Sequence, residues 1–400
     1  MAWWLAFAPM RYANFRRMWL AIFLCNMTFW MQMVTTIAVI QQQNPESILL
    51  TWTQGLYTLP ALFFTLLAGV FADCLSRKAI MLYSQSLMLL TSIILIFIEG
   101  SALISIGLIS FLAGTANAWR NPVWQAMMPS LLPGKYLAEA VGMSSVNFNL
   151  ARIIGPLAGS VLLLFFPVSL IFALCALFSA IFIVTACFTL IEDTTKPSQN
   201  WLMKLHRSAE GIRSIMRVKA LHRRIVKSYI YSTAGSSILL LIPLMASSWT
   251  HNAPKYVGVY LSLFGLGGII AVFLAPKLRA RLPATMLLEI TLILQLLCTL
   301  CLTLFEGDVF LMPALVIAGS GWILMLTTLN ISLQHATPSH WQGRTLALYI
   351  TSVNGGMSTG AILWGTGARY GLLETLLIAA CALAVLLWIN IYSDISRQSR

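Results

Sequence analysis

Long apolar stretches recur along the chain, and short segments rich in polar and charged residues separate them. Each stretch has roughly 20 or more residues, which is the length that a helix needs to cross the hydrocarbon core of a bilayer. The pattern therefore predicts about twelve membrane-spanning helices, numbered here as spans 1 to 12. They lie near residues 18–40, 49–72, 79–98, 103–127, 137–165, 168–191, 224–249, 255–276, 284–305, 310–335, 342–367 and 371–392.

The composition excludes an ordinary soluble protein. Of the 400 residues, 59% are hydrophobic and 9% are charged, and the mean hydropathy is +0.83. Soluble globular domains carry about 25% charged residues because their surface must face water. The predicted fold class is therefore an all-α membrane protein.

The placement of charges orients the spans. Of the 25 basic residues, 21 fall on one side of the predicted membrane, two (Lys255 and Arg369) on the other, and two (Arg120 and Arg152) within spans. The opposite side holds mostly acids, namely Glu46, Glu99, Glu306, Asp308 and Glu374. Because cytoplasmic loops are enriched in Lys and Arg, both termini are predicted to be cytoplasmic. This bias accounts for the net charge of +13, and nucleic-acid binding is not expected.

Several other kinds of site are not predicted. Span 1 is too long for the core of a cleavable signal, and no small-residue cleavage site follows it. No predicted outer loop holds a cysteine, so a disulfide framework is not expected. The chain has no phosphate-binding loop, no histidines at metal-ligand spacing, and no cluster of acids or nucleophiles typical of an enzyme. We therefore predict no cofactor, no metal and no enzymatic activity.

The segment between spans 6 and 7 is basic, and its apolar residues recur at helical spacing. These residues are Trp201, Leu202, Leu205, Ile212, Ile215 and Met216. The pattern favours an amphipathic helix lying on the anionic inner leaflet, and the alternative is a plain basic linker. The predicted organisation is a six-helix bundle over residues 1–191, a cytoplasmic linker over 192–222 and a second bundle over 223–400.

The two predicted bundles share short sequence patterns. Asn121-x-x-x-Gln125-x-x-x-Pro129 recurs as Asn330-x-x-x-Gln334-x-x-x-Pro338, Ala113-Gly114 as Ala318-Gly319, and Ser145-Val146-Asn147 as Ser352-Val353-Asn354. The offsets are 209, 205 and 207 residues. Three matches in order at nearly constant offset predict a duplicated six-helix unit. In this plan, the substrate binds near the middle of the membrane, between the halves.

Two motifs mark positions suited to close helix packing or to a conformational switch. Gly69-Val-Phe-Ala-Asp73-Cys-Leu-Ser-Arg77-Lys78 joins spans 2 and 3. Its acid and its basic residues suit a latch that holds one of two states. In span 5, Gly155 and Gly159 share one face, and Pro156 removes a backbone hydrogen bond and can bend the helix. The alternative for span 5 is a packing kink without further meaning.

Together these motifs resemble the major facilitator superfamily. The loop between spans 2 and 3 is similar to its signature loop, although Cys74 and Ser76 replace a basic residue and a glycine. The Gly-Pro pattern of span 5 is similar to that of its exporters. Other segments resemble the enterobactin-exporter-like branch, the transmembrane secretion effectors: Phe15-Arg16-Arg17-x-Trp19, Asn26-x-x-x-Trp30-Met31-Gln32, Asn121-Pro122-x-Trp124-Gln125-Ala126-x-x-Pro129 and Gln342-Gly343-Arg344-x-x-Ala347-x-Tyr349. The resemblance implies secondary, ion-driven transport.

Polar residues within the spans are the candidate substrate-binding residues. Arg120 and Arg152 stand out because a charge inside a span is costly and must face a partner, a cavity or a ligand. Both favour an anionic substrate, and the alternatives are snorkelling or a structural pairing. Further candidates are Asn26, Trp30 and Gln32 of span 1 and Asn147 of span 5, for which a contact between helices is the alternative.

Glu289 in span 9 is the acid placed best inside a span. It is a candidate proton carrier, and the alternative is an interfacial acid paired with Arg279 or Arg281. We predict a monomeric carrier in a bacterial inner membrane that exports a siderophore or an amphipathic drug-like compound by alternating access, with the proton as coupling ion. Uptake of a nutrient or lipid, or a non-transporting scaffold, remain as alternatives.

Overall fold

The computed structural model describes residues 3–43, 48–72, 75–97, 103–189, 201–250, 253–305, 308–338 and 341–398. Within these ranges, fourteen α-helices account for almost all regular structure. They are α1 Ala13–Gln43, α2 Leu49–Ala72, α3 Arg77–Ile96, α4 Leu103–Met127, α5 Leu137–Phe165, α6 Val168–Phe188, α7 Trp201–Arg217, α8 Lys219–Gly235, α9 Ser237–Trp249, α10 Ala253–Arg279, α11 Ala284–Leu304, α12 Asp308–His335, α13 Gln342–Gly367 and α14 Leu372–Gln398. A short 3-10 helix, Trp3–Arg11, precedes α1.

These helices supply twelve membrane crossings. Among the described residues, nine stretches are long and apolar enough to span a bilayer, and one of them, Lys219–Trp249, comprises α8 and α9 together. The helix α2 packs against both α4 and α13, and these three helices have 24, 25 and 26 residues. At a rise of about 1.5 Å per residue, each exceeds the roughly 30 Å of a hydrocarbon core. The sequence prediction of about twelve spans in two six-helix repeats is confirmed.

Span 7 differs from its prediction. We expected one helix starting near residue 224, but helical structure begins at Lys219 and breaks at Ser236. The Ser236 hydroxyl donates to the carbonyl oxygen of Thr233 (3.1 Å), and serine side chains that bond to the local backbone compete with helix hydrogen bonds. Pro243 then removes a donor within α9.

The repeat seen in the sequence has a structural counterpart. Gly114 of α4 lies against the carbonyl group of Tyr57 in α2, and Gly319 of α12 lies against the carbonyl group of Phe264 in α10. A Cβ atom at either glycine would overlap that carbonyl oxygen. The repeated Ala-Gly pairs therefore make the same close helix contact in both halves, because only glycine lets two backbones approach this closely.

A second pair of contacts follows the same symmetry. Asn147 of α5 donates to the carbonyl oxygen of Trp19 in α1 (2.8 Å). Ser352 of α13 donates to the carbonyl oxygen of Ile225 in α8 (2.8 Å). Donor and acceptor are offset by 205 and 206 residues between the halves. The first and fifth helices of each half are thus joined at equivalent points.

Replacing Gly114 by alanine is expected to destabilise the protein by about 1–3 kcal/mol, the usual cost of overpacking. The methyl group would meet the backbone of α2, which cannot rotate away as a side chain can. The measurement is the midpoint of thermal unfolding in detergent. Gly142→Ala is the control, because a Cβ at that helical position has no neighbour within 4 Å. Equal midpoints for the two variants would contradict this packing.

The halves meet at the end of the bundle opposite the termini, called the distal end here. Gln41 of α1 donates to the carbonyl oxygen of Pro243 (2.9 Å) and to the Ser247 hydroxyl (2.9 Å) in α9. Gln54 of α2 donates to the carbonyl oxygen of Leu240 (3.1 Å), also in α9. Buried side chains of the first half thus bind backbone acceptors of the second.

Glycines bring the other helices of the two halves together at this end. Gly55 of α2 faces α13, and a Cβ atom there would lie 2.6 Å from that of Ala361. Gly258 of α10 lies against Ser160 of α5 and the carbonyl group of Pro156. These contacts and the two glutamine contacts with α9 are called the distal seal. They hold the two halves together at the distal end.

The helix α7 occupies part of the predicted linker, and its described apolar side chains pack on the protein. Ile215 is fully buried in the main core cluster, and Ile212 and Met216 pack against that cluster. The helix contacts α2 of the first half and both α8 and α13 of the second. These three side chains therefore do not point into the leaflet as we expected. The side chains of Trp201, Leu202 and Leu205 lie outside the described part.

Candidate functional site

A polar network joins α1, α4 and α5 inside the first half. Arg120 is 2% exposed, and its Nη2 donates to Oδ1 of Asn26 (2.7 Å) and of Asn117 (2.7 Å). Asn26 in turn donates to Oδ1 of Asn147 (2.9 Å). Three sequence-predicted residues, Arg120, Asn26 and Asn147, thus form one connected site.

The Arg120 guanidinium also interacts with the buried Cys25 thiol of α1. Its Nε and Nη1 are buried and donate no hydrogen bond to any described residue, and the same holds for Nε1 of Trp30. Buried donors are nearly always satisfied in native proteins, so each exception requires an explanation. Arg120 lies beside Asn26 of α1, and Trp30 follows Asn26 by about one helical turn. All three donors are therefore near the same stretch of α1.

Arg152 lies next to Trp30, near the same stretch of α1. Its guanidinium carbon is 5.6 Å from the ring centre of Trp30 in α1 and 5.8 Å from that of Phe264 in α10. A guanidinium above an aromatic face is attracted by the ring electrons, more strongly when water is excluded. Because Phe264 belongs to the second half, this pair of contacts spans the boundary between the halves.

Two glycines of α5 bring that helix close to α1. A Cβ atom at Gly155 would lie 2.7 Å from the Cβ atom of Trp30, and one at Gly159 would lie 3.6 Å from the backbone of Met31. The face of α5 that carries Gly155 and Gly159 therefore packs against α1 within one half. Pro156, beside them, contributes its carbonyl group to the distal seal. The exporter-like motif thus positions both Trp30 and the boundary with α10.

Gln32 lies elsewhere, although it is close to Trp30 in sequence. It is fully buried, donates to the Thr91 hydroxyl (3.3 Å) and accepts from the Ser92 hydroxyl (2.8 Å), both in α3. Two residues along a helix correspond to a rotation of roughly 200°, so Trp30 and Gln32 face opposite sides of α1. The contact between helices, our alternative for Gln32, is what the structure has.

The basic residues of the loop after α2 cap helix ends in the first half. Arg77 donates to the carbonyl oxygen of Ala126 (2.8 Å) at the end of α4. Lys78 donates to the carbonyl oxygens of Cys187 (2.9 Å) and Thr189 (3.3 Å) at the end of α6. Cations at helix C-termini are stabilising. A Cβ atom at Gly69 would have no neighbour within 4 Å, and Asp73 lies outside the described residues.

Glu289 of α11 is half-buried and accepts a hydrogen bond from the Asn390 amide in α14 (3.2 Å). Neither arginine that we considered as its partner forms an ion pair with it in the described structure. Arg279 instead donates to the Thr327 hydroxyl. The acid is therefore part of a polar contact inside the second half.

Three residues that contact the opposite half of the protein were not identified from the sequence: Phe264, Gln41 and Gln54. Phe264 lies in an apolar run that gives no sign of a contact with an arginine. Gln41 and Gln54 resemble ordinary polar residues near helix ends. The one available signal was that Gln41 directly follows predicted span 1 and Gln54 lies within span 2, because an amide buried there needs partners.

The arrangement suits a ligand rich in acceptor atoms. No described carboxylate lies within ion-pair distance of Arg120 or Arg152. Two cations about one turn apart along α1, with three unpartnered donors between and around them, favour negative charge. The aromatic faces of Trp30 and Phe264 add a surface on which a planar or apolar group can pack.

Three comparisons with known proteins agree on the type of protein. A family model described as transmembrane secretion effector matches residues 5–399. The staphyloferrin A transporter of Staphylococcus aureus (strain NCTC 8325 / PS 47) is 24% identical over 226 residues, which are 54% of this chain and 55% of the relative. The chain thus aligns with about half the length of that relative.

Solved structures of membrane transporters share the fold. A mutant of the nucleoside transporter NupG superposes with a TM-score of 0.78 at 13% identity, covering 95% of this chain and 99% of that one. A POT family transporter in complex with 5-aminolevulinic acid gives a TM-score of 0.78 at 10% identity, covering 94% and 95%. At this identity, the likeness concerns the fold alone.

Proposed function

We propose, on the premise that this chain belongs to the transmembrane secretion effector family, that it exports a small anionic compound by alternating access. Membership makes it a membrane transporter of the major facilitator type. The compound class that we favour is an acidic siderophore, in line with the relative named as a staphyloferrin A transporter. Amphipathic drug-like anions are the second class.

One observation carries the proposal. The guanidinium of Arg152 lies between Trp30 of the first half and Phe264 of the second, with no described carboxylate in ion-pair distance. An anion bound there is in contact with both halves, so it can bind one relative arrangement of the halves better than another. Differential affinity is what a ligand needs in order to shift a conformational equilibrium.

Arg120 and its asparagine partners extend this proposed site. Asn26 and Asn117 accept from Nη2 of Arg120, and Asn147 accepts from the Asn26 amide, while Nε and Nη1 of Arg120 remain as donors to the ligand. Gln32, on the opposite face of α1, fixes α1 against α3. We propose that the switch residues Gly69, Asp73, Arg77 and Lys78 hold the first half together on the cytoplasmic side.

The orientation follows from the charges. Loops on the side of the termini hold most of the basic residues, so we assign that side to the cytoplasm of a bacterial inner membrane. The distal seal then closes the outer side, and the conformation described is the one that faces inward. We propose that residues 1–191 and 223–400 rock as two bodies in a monomer, with 192–222 joining them.

Ligand-dependent thermal stability of the purified protein tests the site. The probes are staphyloferrin A, its fully esterified form, a catecholate siderophore and a cationic amphipathic dye. We expect the free acids to raise the unfolding midpoint, since a ligand at 100 times its Kd stabilises by about 2.7 kcal/mol. The ester is the matched control because it keeps the carbon skeleton of the acid, adds a small alkyl group at each carboxyl and carries none of the negative charge.

Arg152→Gln should remove this stabilisation, because glutamine has neither the charge nor the planar cation that stacks on Trp30. Arg213→Gln is the control, since Arg213 is exposed on α7. Stabilisation by the dye but not by any acid would contradict the proposed substrate class. Efflux from preloaded cells of whichever acid binds then decides between export and uptake.

A further inference from the structure

A cluster of charged and polar side chains joins three helices of the second half near the cytoplasmic side. Lys227 of α8 donates to Oδ1 of Asn390 in α14 (2.5 Å), and the Tyr231 hydroxyl donates to the same oxygen (3.2 Å). The Asn390 amide in turn donates to Glu289 of α11 (3.2 Å). A cation and an acid are thus linked through one shared amide.

The cluster lies inside the bundle. Asn390 is 3% exposed and Tyr231 4% exposed, while Lys227 and Glu289 are half-buried. Glu289 follows the start of α11 by five residues, or about 8 Å along the helix axis. A carboxylate at this depth is costly unless it has a function or a close partner.

The first half makes the equivalent contact without any charge. Gln85 of α3 donates to the Ser179 hydroxyl of α6 (2.9 Å). In the repeat, α3 corresponds to α11 and α6 to α14, and the two positions are offset by 204 and 211 residues from Glu289 and Asn390. A neutral pair is therefore enough to join these two helices. The acid and the lysine of the second half are an addition that helix packing alone does not require.

The helix that carries Lys227 and Tyr231 also leads to the distal seal. Through the break at Ser236, α8 continues into α9, where the carbonyl oxygens of Leu240 and Pro243 accept from Gln54 and Gln41 of the first half. One broken transmembrane segment therefore connects the charged cluster near the cytoplasm with the outer seal. The break provides a point at which the two parts can move relative to each other.

We propose that Glu289 is the proton-binding site of this carrier and that its protonation opens the distal seal through α8 and α9. The inference rests on the proposed function, because proton binding can shift a conformational equilibrium here only if the protein is a two-state carrier. As a carboxylate, Glu289 is the acceptor that holds Asn390, and a hydrogen bond to a charged acceptor is the stronger kind. Binding of one proton gives the neutral carboxyl and weakens that bond. Asn390 is then no longer held against α11, and α8, which is tied to Asn390 through Lys227 and Tyr231, can move with it.

The other titratable groups near Glu289 are few. From α8 come Lys227 and Tyr231, and α14 carries Asp394 one turn after Asn390, with a side chain outside the described part. The helix α12 has titratable residues at its two ends alone, Asp308 and His335. Before α11, Arg281 is exposed, and Arg279 of α10 is bound to Thr327.

The sign of the pH effect follows from the geometry. The conformation with the distal seal closed contains the carboxylate contact, so protonation disfavours it. Lowering the pH should therefore reduce the population of the closed distal end. For one proton, linkage limits the change in this equilibrium to about tenfold per pH unit.

Distances between spin labels at the distal ends of the two halves test the proposal without any substrate. The labels are placed at Phe97 after α3 and Phe305 after α11, both exposed, in a background without native cysteines. The probe is pH alone, varied between about 5 and 8. We expect the short-distance population to fall on acidification, and Glu289→Gln to make the population independent of pH.

Three further measurements complete the test. Glu289→Asp should retain a pH response, and Glu374→Gln, which removes an exposed acid at the distal end of α14, should respond as the wild type does. Infrared spectra should show a carboxyl band on acidification that Glu289→Gln lacks. A wild-type response in Glu289→Gln, or its loss in Glu374→Gln, would overturn the inference. So would a wild type that responds to an acidic ligand but not to pH, and the proposed function would then stand.

Discussion

Replacing Arg120 by glutamine is expected to leave the protein folded and to lower transport of the acidic substrate strongly. Glutamine retains an amide that can donate to Asn26 or Asn117, so the helix contacts largely survive. It lacks the positive charge and the two remaining donors. Hydrogen bonds to charged groups contribute about 1.5–3 kcal/mol, so we expect transport to fall roughly 100-fold. The measurements are efflux from preloaded cells and the thermal unfolding midpoint.

Arg120→Lys is the companion variant, because it keeps the charge and loses the planar fork. It should retain more transport than the glutamine variant if charge is the main requirement. A neutral residue at a buried, unpaired cation often stabilises a protein, so we expect the unfolding midpoint of Arg120→Gln to stay equal or rise. Normal efflux by Arg120→Gln at wild-type protein levels would exclude Arg120 from the substrate site.

Replacing Gly258 by leucine is expected to hold the distal seal open. The side chain would collide with Ser160 and with the carbonyl group of Pro156 across the boundary between the halves. Overpacking of this kind costs about 1–3 kcal/mol, which shifts a two-state equilibrium by roughly 5-fold to 150-fold. The carrier would then fail to return to the inward-facing arrangement, and turnover should fall by a similar factor.

The accessibility of a cysteine placed where α2 meets α13 at the distal end measures this shift. Thr51 is fully buried where α2 meets α13, and a cysteine there is nearly the same size. In a background without native cysteines, Thr51→Cys should react slowly with a membrane-impermeant thiol reagent added from outside. Gly258→Leu should speed the reaction, and Gly142→Leu, at an open position of α5, should not. Equal rates in all three proteins would show that Gly258 does not control the seal.

Much of the candidate site was predictable from chemistry inside single spans. Arg120 and Arg152 were identified because a guanidinium in an apolar helix is expensive, and the structure places both beside α1. Asn26 and Trp30 lie on the same side of α1 because residues four apart share a helix face, and their role in binding stays a prediction. Gln32 faces the opposite side, and the sequence motif that grouped it with them ignored this periodicity.

The contact partners of Arg152 and Glu289 were beyond the reach of sequence patterns. A phenylalanine in an apolar run is one of many, and only the crossing of α5 and α10 brings it to Arg152. For Glu289, the basic residues nearest in sequence suggested Arg279 or Arg281 as partners. The structure places Asn390 there instead, because α11 packs against α14 along its length.

The sequence by itself determined the number of spans and their duplication, and it predicts the side that carries the termini. These properties depend on local quantities: the length of apolar runs, the count of basic residues in each loop and short patterns repeated at a fixed offset. Only the tertiary structure decided which helices touch, which end of the bundle is closed and which side chains share one site. Those outcomes depend on contacts between residues 100 to 300 positions apart, such as Gln41 with Pro243 and Thr58 with Ser358, and the bilayer gives every apolar face the same preference for burial.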